Sequence, residues 1–508
     1  MIRRRFSYLD CKVSERNVVI VEIRAVVYDR ELVNDVLLFV MEDGIKEQEW
    51  PVENVQSLFE AQGFSGKFGE VFSYVYVQEG AEPRKVIVAG LGTVAELSLE
   101  KVRKALGKGI KEAEKLKIRT LTIAPWTIDS FTVQDVTRAL TEAALLSAYR
   151  FDRYLSEQKE ISLRSLQIAY DISNEGDVMA GIKLGQILGQ STNLARNLVN
   201  EPANVLTPKR LAQEAQKAGD EYGFEVEVFE PEAIAALNMK AFLEVGKASA
   251  NTPRLIVMRH FGSPDQAEKI LGLVGKGLTY DSGGLSIKPG DSMGTMKYDM
   301  AGSAAVIGAM AAIAQANLPL NVVAVVAACE NLISGTGYRP GDIISSMAGK
   351  SILIDSTDAE GRLTLADAVH YIITEEKVHT VVDVATLTGA AIVALGNTTT
   401  GVVTNNQDLY AKLQAASEQS GERVWQLPSF PEYREQNKTP LADLKNTGGR
   451  AAGTITAGLF IEAFVQEKPW LHLDIAGTAF TAKELDYLIE GGTGVGVRLL
   501  YHFATSFV

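Results

Sequence analysis

The sequence predicts an α/β protein of two α/β domains, the larger C-terminal one a mixed sheet flanked by helices on both faces. Three observations predict it. A chain of 508 residues is too long for one ordinary compact core. Short β-branched runs alternate with helical stretches along most of it. Glycine-rich turns cluster late, at Gly275–Gly277, Asp281–Gly284, Gly389, Gly448–Gly449 and Gly491–Gly496, where the strands of an open α/β sheet deliver ligand sites.

In the first part, Val18–Val27, Asp35–Val40, Val71–Val77, Lys85–Ala89 and Thr120–Ala124 read as strands, and Leu97–Leu116 as a helix. Val133–Ser156 and, after a polar stretch, Asp177–Val199 carry apolar residues at helical spacing and read as the connection between domains. The expected division is an N-terminal α/β domain over 1–165, a helical linker over 166–190 and a C-terminal α/β domain over 191–508. Beyond residue 200, strands are expected at Phe224–Phe229, Arg254–Arg259, Lys269–Val274, Asn321–Ala327, Ser351–Ile354, Thr380–Ala385 and Trp470–Ile475. Helical patterns fall between most of them, which predicts helices on both faces of the sheet.

Hydrophobic residues at 46% and charged residues at 22% are the balance of a soluble globular chain. Fifty basic against sixty-three acidic side chains leave a formal charge of −13, a field that repels polyphosphate, so nucleic acid is a poor default partner. Cys11 and Cys329 are far apart and form neither a disulfide framework nor a cysteine zinc motif; a reducing cytosol is expected. The start MIRRRFSYLD runs into polar residues and does not read as a secretory signal. The longest apolar stretches, Leu318–Ala328 and Ala301–Ala316, are too short or too rich in small residues to span a bilayer.

Two segments gather polar residues just after expected strands. One is Lys276-Gly-Leu-Thr-Tyr-Asp281-Ser-Gly-Gly, with Lys288 and Asp299 following; the other is Asp355-Ser-Thr-Asp358-Ala-Glu360-Gly-Arg362. On an extended segment Asp358 and Glu360 point to one side and can reach one site. Carboxylates so crowded repel one another unless cations compensate them, and divalent ions do so best; oxygen ligands alone do not choose among Mg²⁺, Mn²⁺, Co²⁺ and Zn²⁺. A shared pair of ions would make a bridging water nucleophilic near neutral pH. Plainer readings stand beside this one: Asp281-Ser-Gly-Gly as a polar turn, Asp358 and Glu360 as carboxylates at a helix N-terminus. The five histidines form no His-Glu-x-x-His or His-x-His pattern, and neither Ser282 nor Ser286 sits in a Gly-x-Ser-x-Gly elbow.

Ser356-Thr-Asp-Ala-Glu-Gly-Arg-Leu363 closely resembles Asn-Thr-Asp-Ala-Glu-Gly-Arg-Leu, the signature of the leucyl aminopeptidase (cytosol aminopeptidase) family. Val274–Gly284, Ile287-Lys-Pro289, Met296-Lys-Tyr-Asp-Met300 and Ala328-Cys-Glu-Asn331 are similar to that family's other blocks, in its order. So are Tyr149–Tyr154, Ala195–Pro208, Asp383–Ala390 and Leu473–Thr478; the resemblance covers roughly 144–500, and the first 140 residues carry almost none of it. Ser356 departs from the family's Asn, and Ala301-Gly-Ser303 from its Gly-Gly-Ala.

The resemblance implies two divalent metal ions, Mn²⁺ or Zn²⁺, one held by Lys276, Asp281, Asp299 and Glu360 and the other by Asp281, Asp358 and Glu360. Lys276 would ligate as a neutral amine. It further implies that Lys288 polarises the scissile carbonyl and that Arg362 anchors a bicarbonate acting as general base, with backbone around Ala359, Gly361 and Leu387 completing the anion site. Met296, Thr386 and Gly389 match positions lining the first side-chain pocket, which favours Leu- or Met-like residues weakly. Peptides with a free N-terminus are the implied substrates and a cytoplasmic homohexamer of two stacked trimers the implied assembly. Two other functions fit some of the same residues: a two-metal phosphoester hydrolase using Lys288 and Arg362, and a DNA-binding regulator, against which the charge argues.

Overall fold

The computed structural model describes residues 21–508 except 29–33, 44, 46–54, 78–79, 81, 127–129, 158–159 and 267–268. Cys11, the arginine-rich start and the first residues of the Val18–Val27 run lie outside the described residues. In chain order the first body contains β1 (Glu22–Val27), β2 (Asp35–Met41), α1 (Val55–Gln62), β3 (Val71–Tyr76), β4 (Arg84–Gly92), α2 (Leu99–Lys115), β5 (Thr120–Ile123), α3 (Val133–Ala148) and β6 (Ser165–Tyr170), followed by the long α4 (Glu175–Asn200). Its strands form one sheet in the order β1-β6-β5-β2-β4-β3. Among the described residues, β3–β4 is its one antiparallel pair.

The second body continues with α5 (Pro208–Tyr222), β7 (Glu225–Phe229), α6 (Pro231–Ala236), α7 (Lys240–Gly246), β8 (Arg254–Phe261), β9 (Ile270–Asp281), α8 (Gly290–Met293), α9 (Ala301–Gln315), β10 (Asn321–Asn331), β11 (Ile343–Ser345), β12 (Ser351–Leu353), α10 (Gly361–Thr374), β13 (Thr380–Ala385), α11 (Gly389–Leu395), β14 (Thr400–Thr404), α12 (Gln407–Ser420), β15 (Val424–Gln426), α13 (Pro431–Glu435), β16 (Leu444–Lys445), α14 (Gly453–Glu462), β17 (Trp470–Asp474) and α15 (Val497–Thr505). Its main sheet runs β15-β14-β17-β13-β9-β10-β8-β7 and is mixed, as expected from the sequence. β9, β10, β13 and β17 run parallel to one another, whereas β14 on β17 and β8 on β10 are antiparallel.

β10 is buried at every position, which explains its nearly unbroken apolar sequence. One face of the sheet packs against α4, α5, α9 and α15, the other against α7, α10 and α14. α9 is made of small residues because its first turn touches the sheet backbone: a Cβ on Gly302 would lie 2.0 Å from the Val384 carbonyl oxygen. That approach holds Asp299, two residues before α9, against Lys276 of β9 and Thr386 just beyond β13.

The structure differs from the sequence reading in several elements. The helix expected to reach Ser156 ends at Ala148, where Tyr149 turns extended. Residues 165–170, in the polar stretch and the start of the expected helical linker, are β6, a strand between β1 and β5. Its Gln167 is satisfied by Asn34 and Thr122, so a polar residue inside a sheet hid the strand pattern. β11, β14, β15 and β16 had no counterpart in the sequence reading.

The two bodies meet through a buried ionic hub. Glu142 of α3 accepts from Arg103 of α2 at 2.6 Å and from Arg498 of α15 at 3.4 Å, and Arg498 also reaches Glu422. Burial opposes the charge on Glu142, but Arg103, Arg138 and Arg498 outweigh it and push its pKa down to about 2. Beside it, Arg138 Nη1 lies 2.5 Å from His502 Nε2. Burial, reinforced by Arg138, pushes His502 down to about 3 from an ordinary value of 6.5, so this ring is neutral in the fold. Below pH 6.5 the unfolded chain takes up a proton that the folded chain refuses, so stability falls as pH drops from about 6.5 toward 3. The expected outcome is a thermal midpoint that declines over that window, and a shallower decline in His502→Gln; calorimetry across pH checks both.

Candidate metal centre

Two loops and two strand ends build the site. β9 supplies Lys276 and Asp281, five positions apart, which in a regular strand would face opposite sides. A bulge corrects this: Leu278 pairs with Cys329 and Tyr280 with the next residue, Glu330, so β9 carries one extra residue and both functional side chains turn to the same side. Gly283, at φ +83°, then folds the chain back, and its amide donates to Asp281 Oδ1 at 2.8 Å.

The segment with Asp358 and Glu360 is a turn leading into α10, not the extended stretch expected. Glu360 has helical φ and ψ at the N-cap of that helix. The turn nevertheless brings ligand atoms of Asp281, Asp358 and Glu360 within 4.8 Å of one another. Ser356, the departure from the family signature, closes the turn by accepting from the Asp358 amide at 3.2 Å.

Lys276 Nζ donates to Asp299 Oδ1 at 2.8 Å and to the Thr386 carbonyl at 2.9 Å, and lies 3.1 Å from Glu360 Oε1. Lys288 Nζ stands 2.8 Å from Asp281 Oδ2 and 2.5 Å from Asp358 Oδ1. All five expected metal residues and Lys288 are thus brought together. Thr386 joins them, donating to Asp299 Oδ1 at 2.9 Å. Met296 sits half-buried in the short turn before Asp299, and Gly389 opens α11 with free space where a Cβ would be.

The electrostatics show a shortage of positive charge. Burial, then Glu360 and Asp299, raise Asp281 to about 8, and burial holds Asp299 up to about 6. Burial also raises Asp358, while Glu360, flanked by both lysines, is lowered against the effect of burial. Burial opposes the ammonium of Lys276, yet Asp299, Glu360 and Asp281 keep its pKa above the usual value. Oxygens Asp281 Oδ2, Asp299 Oδ2 and Glu360 Oε2 are buried with no hydrogen-bonding donor; the ammonium nitrogens near the first two are off a hydrogen-bonding direction. Buried carboxylate oxygens without donors suit divalent cations, so the residues present fit a metal centre.

Arg362, in the first turn of α10, is buried with Nε and Nη1 unpartnered. Burial brings it down to about 10, with Glu360 and Asp474 acting the other way. Its free donors, beside the positive end of α10, fit an anion. Ala359 and Gly361 flank it, but the Leu387 amide, expected at the anion site, is already donated to Asp474 Oδ1 at 3.1 Å.

Hydrogen bonds clamp the loops together. Thr357 Oγ1 donates to the Gly283 carbonyl at 2.6 Å and accepts from the Ser286 amide at 2.8 Å. Asn331 Nδ2 bridges Asp281 Oδ1 and the Thr357 carbonyl. Asn446, from a distant loop, accepts the Asp355 amide and donates to the Ser356 and Ala359 carbonyls. Sequence reasoning assigned none of these three a role. Thr357 and Asn331 lie inside the quoted blocks; Asn446 carries no local signal.

A mixed α/β sheet that presents clustered carboxylates and two lysines at the carboxyl ends of its parallel strands defines a hydrolytic enzyme of the metal-centre type. Known proteins narrow this class. The sequence model of the cytosol aminopeptidase family, catalytic domain, matches residues 193–501, and that of the family's N-terminal domain matches 46–158. A probable cytosol aminopeptidase of Clostridium perfringens is 50% identical over 453 residues, 89% of this chain and 92% of that one. Another, of Alkaliphilus metalliredigens, is 45% identical over 457 residues, 89% and 91% of the two chains. Among solved structures, a tomato leucine aminopeptidase mutant superposes with TM-score 0.86 at 32% identity, covering 97% of this chain and 98% of that one. The bottromycin maturation enzyme BotP in complex with Mn gives TM-score 0.84 at 31% identity, covering 94% and 100%. The chain belongs to the cytosol aminopeptidase family and is a peptidase. The family therefore reaches into the first 140 residues, where the quoted motifs carried almost none of it, and the phosphoester reading falls away.

Thr357→Val keeps shape but leaves the Ser286 amide and Gly283 carbonyl unsatisfied. It is expected to lower stability by about 1–3 kcal/mol, measured by chemical denaturation of the metal-free protein.

Proposed function

We propose that the protein is a cytoplasmic, homohexameric aminopeptidase that releases N-terminal residues, Leu-like ones preferred within a broad range, from peptides with a free N-terminus. The observation that carries this reading is the convergence of Lys276, Asp281, Asp299, Asp358 and Glu360, four carboxylates gathered in one site with only two lysines between them. Two divalent ions, Mn²⁺ or Zn²⁺, would be held there, one by Lys276, Asp281, Asp299 and Glu360 and one by Asp281, Asp358 and Glu360. Bound, they would supply Lewis acidity toward the peptide carbonyl and a water acidic enough to attack near neutral pH.

The chain's own groups divide the remaining work. Lys276 ligates only after losing its proton, which a nearby dication favours by reversing the field that Asp299 and Glu360 now impose. Lys288, kept charged by Asp281 although burial opposes it, polarises the scissile carbonyl and offsets negative charge as it develops on that oxygen. Arg362 stays cationic near neutral pH and takes no proton from water; its unpartnered Nε and Nη1 would hold a bicarbonate, whose oxygen supplies the general base once the carboxylates serve as ligands. Met296, Thr386 and Gly389 would line the pocket for the first side chain of the substrate.

Cytoplasmic placement is supported by the relatives named probable cytosol aminopeptidase. The hexamer is supported by the resemblance and by exposed apolar side chains such as Trp425, Phe430, Leu441 and Val393, which assembly would cover.

Metal content per chain, with rates on a Leu-peptide carrying a free or acetylated N-terminus, tests the reading. Two ions per chain and cleavage of the free peptide alone are expected; equal cleavage of both peptides overturns it. Asp358→Ala and Glu360→Ala are expected to abolish turnover with the fold intact by circular dichroism, because each removes a ligand. Lys288→Ala should retain its metals by elemental analysis and lose roughly 10²–10³-fold in kcat.

A further inference from the structure

Asp474, the last residue of β17, has no part in the chemistry above, yet it is buried and takes donors on both carboxylate oxygens. Oδ1 accepts from the amides of Leu387 at 3.1 Å, Thr388 at 3.4 Å and Ala476 at 3.2 Å. Oδ2 accepts from the Thr388 hydroxyl at 2.6 Å. Because that hydroxyl gives its proton to Asp474, the Thr454 hydroxyl 2.8 Å away must donate to it, as does the Ala391 amide at 3.1 Å. Asp474 pairs with Ala385, the last residue of β13, and its bonds to Leu387 and Thr388 tie down the loop that leaves that strand.

The peptide unit joining Thr386 to Leu387 is therefore gripped at both ends. Its N–H, on Leu387, points at Asp474; its C=O, on Thr386, accepts from Lys276 Nζ at 2.9 Å. The unit is trans and planar, so its N–H and C=O point in opposite directions and cannot turn independently. Losing the anchor on the N–H side frees the carbonyl to swing away from Lys276. The Thr386 hydroxyl donates to Asp299 Oδ1 at 2.9 Å, so this one residue meets two of the side chains proposed for a single ion. Asp358, proposed for the other ion, is fixed elsewhere: Ser356 accepts from its amide, and Lys288 meets its carboxylate.

We propose that Asp474 is a positioning residue for the ion that Lys276 and Asp299 would hold, acting through the Thr386–Leu387 peptide. The inference rests on the reading of those two residues as ligands of one of two ions. Ammonium or amine, Nζ has an N–H for the Thr386 carbonyl, and a carbonyl of fixed direction sets how the rest of that nitrogen faces the site. A group needed only to close the end of β17 would be served by the Ala476 amide; the bonds to Leu387 and Thr388 lie on the loop that serves the site.

The test adds Mn²⁺ stepwise to the metal-free full chain and follows the free ion by electron paramagnetic resonance. In Asp474→Ala one of the two ions is expected to bind about tenfold more weakly, and the other within about twofold of its affinity for the unmodified chain. A loss shared equally by both ions, the mark of general damage, or by neither, overturns the proposal. Should Asp474→Ala not fold by circular dichroism, Asp474→Asn, which keeps the size and one acceptor oxygen, is expected to show a smaller but still one-sided loss; an equal loss or none overturns the proposal there too. Fewer than two ions on the unmodified chain removes the two-ion reading and the positioning role together. Two ions on the unmodified chain without a one-sided loss in the variants sinks the role of Asp474 alone.

Discussion

Four carboxylates, Asp281, Asp299, Asp358 and Glu360, share one largely buried site with only two ammonium groups between them. Their mutual repulsion in a poorly solvated setting is the constraint on which the remaining architecture depends. Burial and like charge hold Asp281 up to about 8, far above an ordinary carboxyl, while Glu360, between Lys276 and Lys288, is lowered despite being buried. Glu360 also starts α10, where the positive end of the helix favours a negative charge. The site is therefore unequal: the two lysines hold Glu360 down, while Asp281, Asp299 and Asp358 stay raised and call for further cations.

Holding repelling groups together requires a frame that does not yield. Thr357, Asn331 and Asn446 supply it by tying the Asp281 loop to the Glu360 turn through backbone groups on both sides. The bulge in β9 and the close seating of α9 against the sheet put Lys276, Asp281 and Asp299 at fixed depth. The loop geometry is thus organised by hydrogen bonds from Thr357, Asn331 and Asn446 that leave the outer carboxylate oxygens facing the two lysine ammonium groups.

The smaller body is held by the same kind of chemistry at a distance. Glu142 is compensated by Arg103, Arg138 and Arg498, and the arginines also bind Gln419 and Glu422 of the larger body. Buried ion pairs contribute little net stability, but a shifted docking would leave Glu142 uncompensated. Such a hub specifies how the bodies meet more than how strongly.

Much of this was legible beforehand. Unbroken apolar runs such as Asn321–Ala327 marked central strands because a strand buried on both faces has no polar alternation to preserve. The signature Ser356–Leu363 and the Lys276–Gly284 block identified the family and the same cluster of residues that the structure brings together, because metal and charge chemistry restricts residue types tightly. β6 was not legible, since Gln167 finds its partners across the sheet, and neither was the turn at Asp358, which local spacing made look extended. Composition and motif by themselves determined the fold class, the family and the candidate ligands, because these depend on residue chemistry and short-range pattern. Tertiary structure alone decided that Lys276 and Asp281 face one pocket, that Asn446 closes the turn from some 90 residues away, and that Asp383 meets His472 across paired strands. Each of these is a register or a contact between distant segments, and such contacts arise only from the packing of the folded chain.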